Sequence, residues 1–590
     1  MSTTLAVQRP VHERTFATHD GVDLFYRHWP APAGPARGAI VLFHRGHEHS
    51  GRMAHLVDEL AMPEFDFFAW DARGHGRSPG ARGDAPGIAA LIRDVQTFVD
   101  HIEAEHGIAA RDVGIVAQSV GAVLVAAWVH DYAPPIRCMV LASPAFKVKL
   151  YVPFARAGLS LMYRLRGNFF VQSYVKAKFL TRDPARIAGY DSDPLIARSI
   201  SVRVLLGLYD AAQRVVNDAQ AITVPAQLLV SGADWVVHHG PQHAFFDRLG
   251  STVKERHVLH GHLHDTLGER DRADANGRVR TFLLRNFAAP PMQPDLADAD
   301  RHGFTREEAD RLAAPLPALS PRGLYWSAMR ANVRLGGLWS DGVRLGHETG
   351  FDSGSTLDYV YRNVPSGTPP FGKLIDRTYL ASIGWRGIRQ RKLHLEELLR
   401  LAIADRRAAG APVRIVDIAA GHGRYVLDAL ATAGARADAV LLRDYRDENV
   451  ERGRALIRER GLCDIAKFEN GDAFDRASLA AIAPQPTIAV VSGLYELFAD
   501  NANVRTSLAG LADALPAGGL IVYTGQPWHP QLELIARTLT RHSDGGAWVM
   551  RRRTQQELDQ LVAAAGFRKI AQRIDAWGIF TVSLARRNPH

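Results

Sequence analysis

Asp112–Trp128 reads DVGIVAQSVGAVLVAAW: an apolar strand enters a turn of small residues, the turn holds a serine, and an apolar helix leaves it. At Ser119 the string A-Q-S-V-G stands where strand-to-helix nucleophile elbows carry G-x-S-x-G. So tight a turn demands small residues two positions to either side, here Ala117 and Gly121. The turn lifts the hydroxyl clear of the sheet and points the next backbone N–H, on Val120, at the oxygen of an attacked carbonyl. The five residues alone suit a buried serine in any strand-turn-helix equally well, so the neighbouring chain has to decide.

Working outward, GAIVLFH (Gly38–His44) is a continuous apolar run of strand length, as expected of a strand buried on both faces of a parallel sheet. HRGHEHSGR follows at its C-terminal edge, where Gly46, or Arg45 beside it, offers a second N–H to an oxyanion. The next strand begins at Phe65 and stops in DARGHGRSPGARG. Ahead of both, FATHDGVDLFYRHW alternates across an Asp-Gly turn and predicts a hairpin.

HRGHEHSGR, DARGHGRSPGARG and AQSVG, in that order and spacing, resemble the monoacylglycerol lipase and lysophospholipase branch of the α/β-hydrolases (serine aminopeptidase S33-type), serine hydrolases of single-chain lipid esters. Two departures stand out: Ala117 replaces the family's first elbow glycine, and H-R-G-H replaces its H-G-x-G. A serine is a weak nucleophile and needs a base oriented by an acid, in the chain order Ser, acid, His. The strand from Val224 ends in S-G-A-D, and the loop after a late strand is where this fold keeps its acid, which implies Asp234. The family's H-E-x-x-x-E matches HDTLGE and implies His264 as the base, with His260 and His262 as competing readings. The resemblance therefore implies Ser119, Asp234 and His264 as catalytic residues, with Gly46 and Val120 at the oxyanion hole.

Between elbow and acid, about residues 146–215 form an insertion that the sheet does not need, in the position of a lid. Its first part, FKVKLYVPFARAGLSLMYRLRGNFFVQSYVKAKFLTR, mixes aromatics and leucines with lysines and arginines and has no acidic residue. Such a surface can lie on anionic lipid, each cation near the membrane contributing about 1 kcal/mol. Lid helices with solvated basic faces are the alternative.

At 590 residues the chain predicts roughly two to four domains. A hydrophobic fraction of 47% and a charged fraction of 23% supply large cores and exclude wholesale disorder. The net charge of +9 favours acidic partners without choosing among them. Two distant cysteines, Cys138 and Cys463, exclude a disulfide framework and a Cys-x-x-Cys zinc site, which fits a reducing cytoplasm. MSTTLAVQRPVHER lacks the apolar core of a signal peptide, and no apolar run approaches the ~20 residues that cross a bilayer.

From Phe287 the chain turns Pro-, Ala- and Asp-rich, which predicts a linker over 287–323 with a short helix at 305–313. Residues 324–404 end in an amphipathic helix whose start is crowded by Trp385, Arg386, Arg389, Arg391 and Lys392, read as a solvated helix end with anion binding as the alternative. Then VRIVDIAAGHGRYVLDAL (Val413–Leu430) gives strand, glycine turn and helix. Asp444 ends the next strand about 20 residues on, where a carboxylate can take ribose hydroxyls. A third strand brings Asp472 to the same edge, and a fourth brings Ser492 to Glu496. This succession, over roughly residues 413–586, resembles the class I S-adenosylmethionine-dependent methyltransferases, whose D-x-G-x-G-x-G appears as D-I-A-A-G-H-G with Ala419 in place of the first glycine. The resemblance implies S-adenosylmethionine held by Asp417, Ala419, Gly421, Gly423, Asp444, Asp472 and Ser492; the G-x-G-x-x-G of a nicotinamide-dinucleotide domain is absent. No acceptor motif appears; Tyr495, Glu496 and His529 lie where a substrate can be met, and each suits support of the packing or of the cofactor equally well.

The sequence thus predicts an α/β protein of two doubly wound domains: an α/β-hydrolase with helical lid (1–286), the linker, a helical cap (324–404) and a Rossmann-like class I methyltransferase (405–590). The expected function is a bifunctional cytoplasmic enzyme of lipid metabolism, a serine esterase of lipid-like esters fused to a methyltransferase, with peripheral contact to anionic membrane. No metal and no nucleic-acid partner are expected. The competing readings are a transacylase joined to a methyltransferase, and a lipid-binding module with one decayed half.

Overall fold

The computed structural model describes residues 9–32, 34–432 and 435–589. Part of the stretch weighed against a signal peptide, residues 1–8, lies outside them. The chain divides into two compact units, residues 1–294 and 295–590. No helix among the described residues is long and apolar enough to cross a membrane.

In the first unit, β1 (His12–Ala17) and β2 (Asp23–Trp29) form the hairpin, and β3 (Gly38–Phe43), β4 (Phe65–Trp70), β5 (Val113–Gln118), β6 (Cys138–Ala142), β7 (Ala226–Ser231) and β8 (Lys254–Leu259) follow. They make one sheet in the order β1-β2-β4-β3-β5-β6-β7-β8, parallel from β4 to β8. Every residue of β3 through β7 is buried, because helices cover both faces.

The insertion is smaller than its sequence suggests. Helix Val202–Asn217 belongs to the sheet, not to the lid: a parallel step from β6 to β7 needs a crossover, and this helix buries Leu205, Leu208, Ala212 and Val215 to make it. The lid proper holds helices Ala155–Arg166 and Pro184–Ser192 and a short ribbon, Phe170–Gln172 with Ser199–Ser201.

The second unit is built on β9 (Arg414–Asp417), β10 (Ala439–Asp444), β11 (Ala466–Asn470), β12 (Ile488–Val491), β13 (Leu520–Gly525), β14 (Phe567–Ile574) and β15 (Thr581–Arg587). The order is β11-β10-β9-β12-β13-β15-β14, with β15 antiparallel between β13 and β14. Helix Ile383–Ala408 lies on it through Leu395, Leu398, Leu399, Ala402 and Ile403, the i, i+3, i+4 stripe of one buried helical face. Helices Pro321–Gly336, Asp341–Thr349, Gly354–Arg362 and Gly372–Leu380 complete the cap.

The segment 287–323 is not a free linker: from residue 295 it is fastened to the second unit. The Asn501 N–H donates to Asp300 at 2.7 Å, Arg551 reaches the Thr305 hydroxyl at 3.0 Å, and Arg552 pairs with Glu308 at 2.5 Å. Its polar, proline-rich composition disguises a seam of buried polar contacts. Nor is the start of helix Ile383–Ala408 solvated throughout. Arg386 is exposed over the Trp577 ring, but Trp385 and Arg391 are buried and face a cavity.

Candidate active sites

Ser119 sits between β5 and helix Val120–Tyr132 at φ = 55°, a conformation that costs a side-chain-bearing residue energy and is held here by the packing around it. Gly121 makes the close approach possible: a Cβ there would stand 2.5 Å from the His44 carbonyl oxygen. The Ser119 hydroxyl lies 2.8 Å from His264 Nε2, and His264 Nδ1 lies 2.7 Å from Asp234 Oδ2. Asp234 Oδ1 accepts the N–H groups of Val236 and Val237 at 2.7 and 3.0 Å. Burial opposes the Asp234 charge, but the imidazole and these N–H groups outweigh it and hold the carboxyl below its usual range. With Nδ1–H given to Asp234, Nε2 is left to accept the serine proton.

His260 is exposed, and His262 is engaged through its carbonyl with the Ala233 N–H at 3.0 Å; neither reaches Ser119. Gln118 was not singled out by sequence, yet its side chain donates to the His264 carbonyl at 3.1 Å and to Asp265 at 3.2 Å, tying the histidine loop to the elbow. Its only signal is adjacency to the serine.

Gly46 and Val120 border the same cavity as Ser119, and a Cβ on Gly46 would come 3.0 Å from the Val120 side chain. The loop between them and β4 is fixed by His44, which donates Nδ1–H to the Arg45 carbonyl at 2.8 Å and accepts the Ala72 N–H at Nε2 at 3.1 Å. Arg45 also borders the cavity, but its guanidinium is drawn aside to Glu48 and Asp265. His47 takes φ = 71°, and burial pulls its imidazole down to about 4, so it is neutral. The cavity holds about 230 Å³ and is walled by apolar lid and sheet residues, among them Leu150, Leu159, Val171 and Leu208.

In the second unit the loop after β9 and the ends of β10 to β12 line a cavity of about 630 Å³. Ala419, Gly421, Gly423, Asp444, Asp472 and Ser492 all border it. Gly423 has φ = 74°, and a Cβ would stand 2.4 Å from Leu442 Cδ1, so only glycine allows the loop to lie on β10. Asp444 Oδ2 accepts the Gly421 N–H at 3.0 Å, and Oδ1 accepts from Arg446 and Asn449 at 3.0 Å each. Asp417 is different: it is fully buried and does not border the cavity. Its Oδ1 accepts the Ala419 N–H at 3.3 Å and burial pushes its carboxyl up to about 7, so it shapes the loop from beneath. The cap closes the other side, with Gly354 against Gly421 and Asp358 paired to Arg424 at 2.5 Å. A left-handed glycine loop beside a strand-end carboxylate suits a nucleoside with a free diol, so the residues fit S-adenosylmethionine.

Tyr495 turns away into the core and donates to Ser507 at 3.1 Å. Glu496 and His529 instead border a second cavity of about 770 Å³ together with Arg391.

Fold and sites together define a serine-triad α/β-hydrolase unit followed by a class I methyltransferase unit. A family model described as "Putative methyltransferase" matches residues 279–587, and one described as "Serine aminopeptidase, S33" matches residues 34–271. The chain belongs to the former family and carries an S33 hydrolase domain ahead of it. It is 56% identical over 575 residues, 98% of each chain, to the "Uncharacterized protein YnbC" of Escherichia coli (strain K12). Its first half is 28% identical to the "Monoacylglycerol lipase" of Mycolicibacterium smegmatis, covering 47% of this chain and 98% of that one. A solved monoacylglycerol lipase from Paleococcus ferrophilus is similar at 24% identity with a TM-score of 0.40, covering 47% of this chain and 99% of that one.

Proposed function

We propose that the protein is a bifunctional enzyme: a serine hydrolase of single-chain lipid esters joined to an S-adenosylmethionine-dependent methyltransferase. The observation that carries the first half is the continuous chain Ser119, His264, Asp234 at 2.8 and 2.7 Å beneath an apolar cavity. Ser119 attacks the ester carbonyl while His264 Nε2 takes its proton, and Asp234 stabilises the imidazolium. The N–H groups of Gly46 and Val120 hold the oxyanion; His264 then protonates the leaving alcohol and activates water against the acyl-enzyme. The small apolar cavity suits an acyl chain, and the likeness to the mycobacterial monoacylglycerol lipase supports a monoacylglycerol or lysophospholipid substrate.

The lid supports a membrane-facing role. Helix Ala155–Arg166 buries no residue, and Phe154 and Leu165 are 90% and 76% exposed beside Arg156, Arg164 and Arg166. We read it as the face that rests on anionic lipid, with the protein otherwise in the cytoplasm.

In the second half, Asp444 and the Gly421–Gly423 loop would hold S-adenosylmethionine, with Asp472 and Ser492 bordering it. When bound, that group supplies an electrophilic methyl on a sulfonium sulfur. The chain's part is to exclude water and align an acceptor oxygen.

The test incubates the full chain with a membrane lipid extract and methyl-labelled S-adenosylmethionine, and resolves products by mass spectrometry. Released fatty acids together with a labelled product support the reading; products in neither channel refute it.

A further inference from the structure

The cavity of about 770 Å³ adjoins the proposed methyl-donor cavity, and Leu357, Gly493, Leu497 and Trp548 border both. Its volume lies within the roughly 300–1,000 Å³ that encloses a small ligand. The walls are mainly apolar, aliphatic side chains alternating with the rings of Phe351, Trp385, Trp548 and Phe580. At the outer side Leu335 and Leu374 border it while 53% and 62% exposed, so the mouth itself is greasy.

Polar residues such as Asp352, Tyr379 and Gln526 also border the cavity, and beside them Arg391, Glu496 and His529 form a buried group near the Phe580 ring. Arg391 Nη1 lies 3.6 Å from Glu496 Oε1, and the Arg391 guanidinium lies 5.2 Å from the centre of the Phe580 ring. Arg391 Nε and Glu496 Oε2 are buried with no hydrogen-bond partner among the described residues. Glu496 is held in place by a relay: the Gly493 N–H donates to the Thr524 hydroxyl at 2.8 Å, which donates to Glu496 Oε1 at 2.7 Å. His529 stands by the same ring, and its Nδ1 accepts the Gln531 N–H at 3.0 Å. Burial pulls its pKa down to about 3, so it is neutral with the proton on Nε2, a donor at the cavity wall.

The buried arginine and glutamate balance each other's charge, and while Arg391 Nη2 donates to the Tyr361 hydroxyl at 3.4 Å, Arg391 Nε and Glu496 Oε2 leave a donor and an acceptor open. A hydroxyl matches both vacancies, since it donates one hydrogen bond and accepts others. A carboxylate only accepts, and it would face the Glu496 charge in a water-poor site. We propose that this cavity binds the methyl acceptor, and that the acceptor is an apolar, ring-bearing molecule with an acidic hydroxyl, a phenol or enol, whose O–H is taken by Glu496. An aliphatic alcohol fits less well, because a carboxylate is too weak a base to draw its proton. The rings in the walls favour a ring in the ligand. In balance, the hydroxyl proton passes to Glu496, the acceptor oxygen forms a bond to the donor methyl, and the sulfonium carbon–sulfur bond breaks. The inference rests on the neighbouring cavity being the S-adenosylmethionine site.

Calorimetric titration of the full chain with 4-hexylphenol, 4-hexylanisole and 4-hexylbenzoate tests it, without S-adenosylmethionine. The phenol should bind at least tenfold more tightly than either analogue, and Ile535→Trp, which narrows the cavity, should weaken all three. Glu496→Gln should retain phenol binding but lose conversion of 4-hexylphenol to 4-hexylanisole in the presence of labelled donor. Equal affinity for phenol and anisole, tightest binding of the benzoate, or no binding at all would overturn the proposal. Asp444→Ala separates the two readings: it should abolish donor binding and leave phenol binding intact. Donor affinity unchanged in that variant would sink the cofactor assignment alone.

Discussion

Arg45 and Glu48 form a buried two-pronged pair, Nε to Oε2 at 2.7 Å and Nη2 to Oε1 at 2.5 Å, one residue from Gly46 at the oxyanion loop. Burial opposes both charges, but Asp265 and Glu48 keep the guanidinium firmly protonated and Arg45 holds Glu48 below its usual range. Removing one partner of such a pair leaves an uncompensated charge inside. Arg45→Met should therefore destabilise the first unit by about 3 kcal/mol or more. Denaturant unfolding checks it, and Arg45→Met combined with Glu48→Leu should recover most of the loss.

Ser119→Ala should lower hydrolysis of a short-chain ester by about 10⁴-fold or more, because the triad acts as a unit. Affinity for S-adenosylmethionine should stay at the wild-type value. Ester hydrolysis that survives the substitution would remove the triad from the account.

Phe154→Asp with Leu165→Asp takes two largely exposed apolar side chains from the lid surface. Burying each would contribute about 1.5–3 kcal/mol, so sedimentation with phosphatidylglycerol vesicles should weaken by at least tenfold. Turnover of a soluble ester should change little. Binding that is equal on phosphatidylcholine vesicles would contradict the electrostatic part.

Asp417 supplies a pH dependence. Its folded carboxyl is raised to about 7 from an ordinary 3.8, so the folded state holds a proton that the unfolded chain releases. The contribution is complete below the unfolded value and is lost as pH rises towards 7, with a slope approaching ~1.4 kcal/mol per pH unit inside that window. Asp417→Asn should flatten this slope in the unfolding transition of the second unit. An identical pH profile in the variant would show that the carboxyl titrates normally.

Much of the architecture was legible because parallel strands buried on both faces are unbroken apolar runs: GAIVLF, VGIVAQ and LIVYTG can be little else. Ser119, Asp234 and His264 were legible through the family resemblance that the motifs around those strands carry, with His260 and His262 left as rivals until the folded loop placed His264 against the serine. What escaped has a common cause. Helix Val202–Asn217 looked like lid because its crossover role depends on where β6 and β7 lie, not on its own pattern. Asp300, Thr305 and Glu308 looked like linker because their partners lie some 200 or more residues away. Arg391 looked solvated because a charge at a helix start usually is; only the folded cap reveals the cavity beside it. Gln118 and Thr524 act through contacts that no local spacing encodes.

The roots of the lid sit side by side. Val148, on its way in, is held through its carbonyl by the Tyr209 hydroxyl at 3.0 Å, on the crossover helix that begins as the lid ends. The intervening chain also braces the catalytic loops: the Asp265 N–H donates to the Leu180 carbonyl at 2.7 Å, the Ala197 N–H to the His47 carbonyl at 2.9 Å, and Arg186 Nε to Asp265 at 2.9 Å. Exchanging that chain for another would therefore leave the strands in register yet remove supports of the loops that carry His264 and Gly46, so the insertion and the site beneath it are bound to change together.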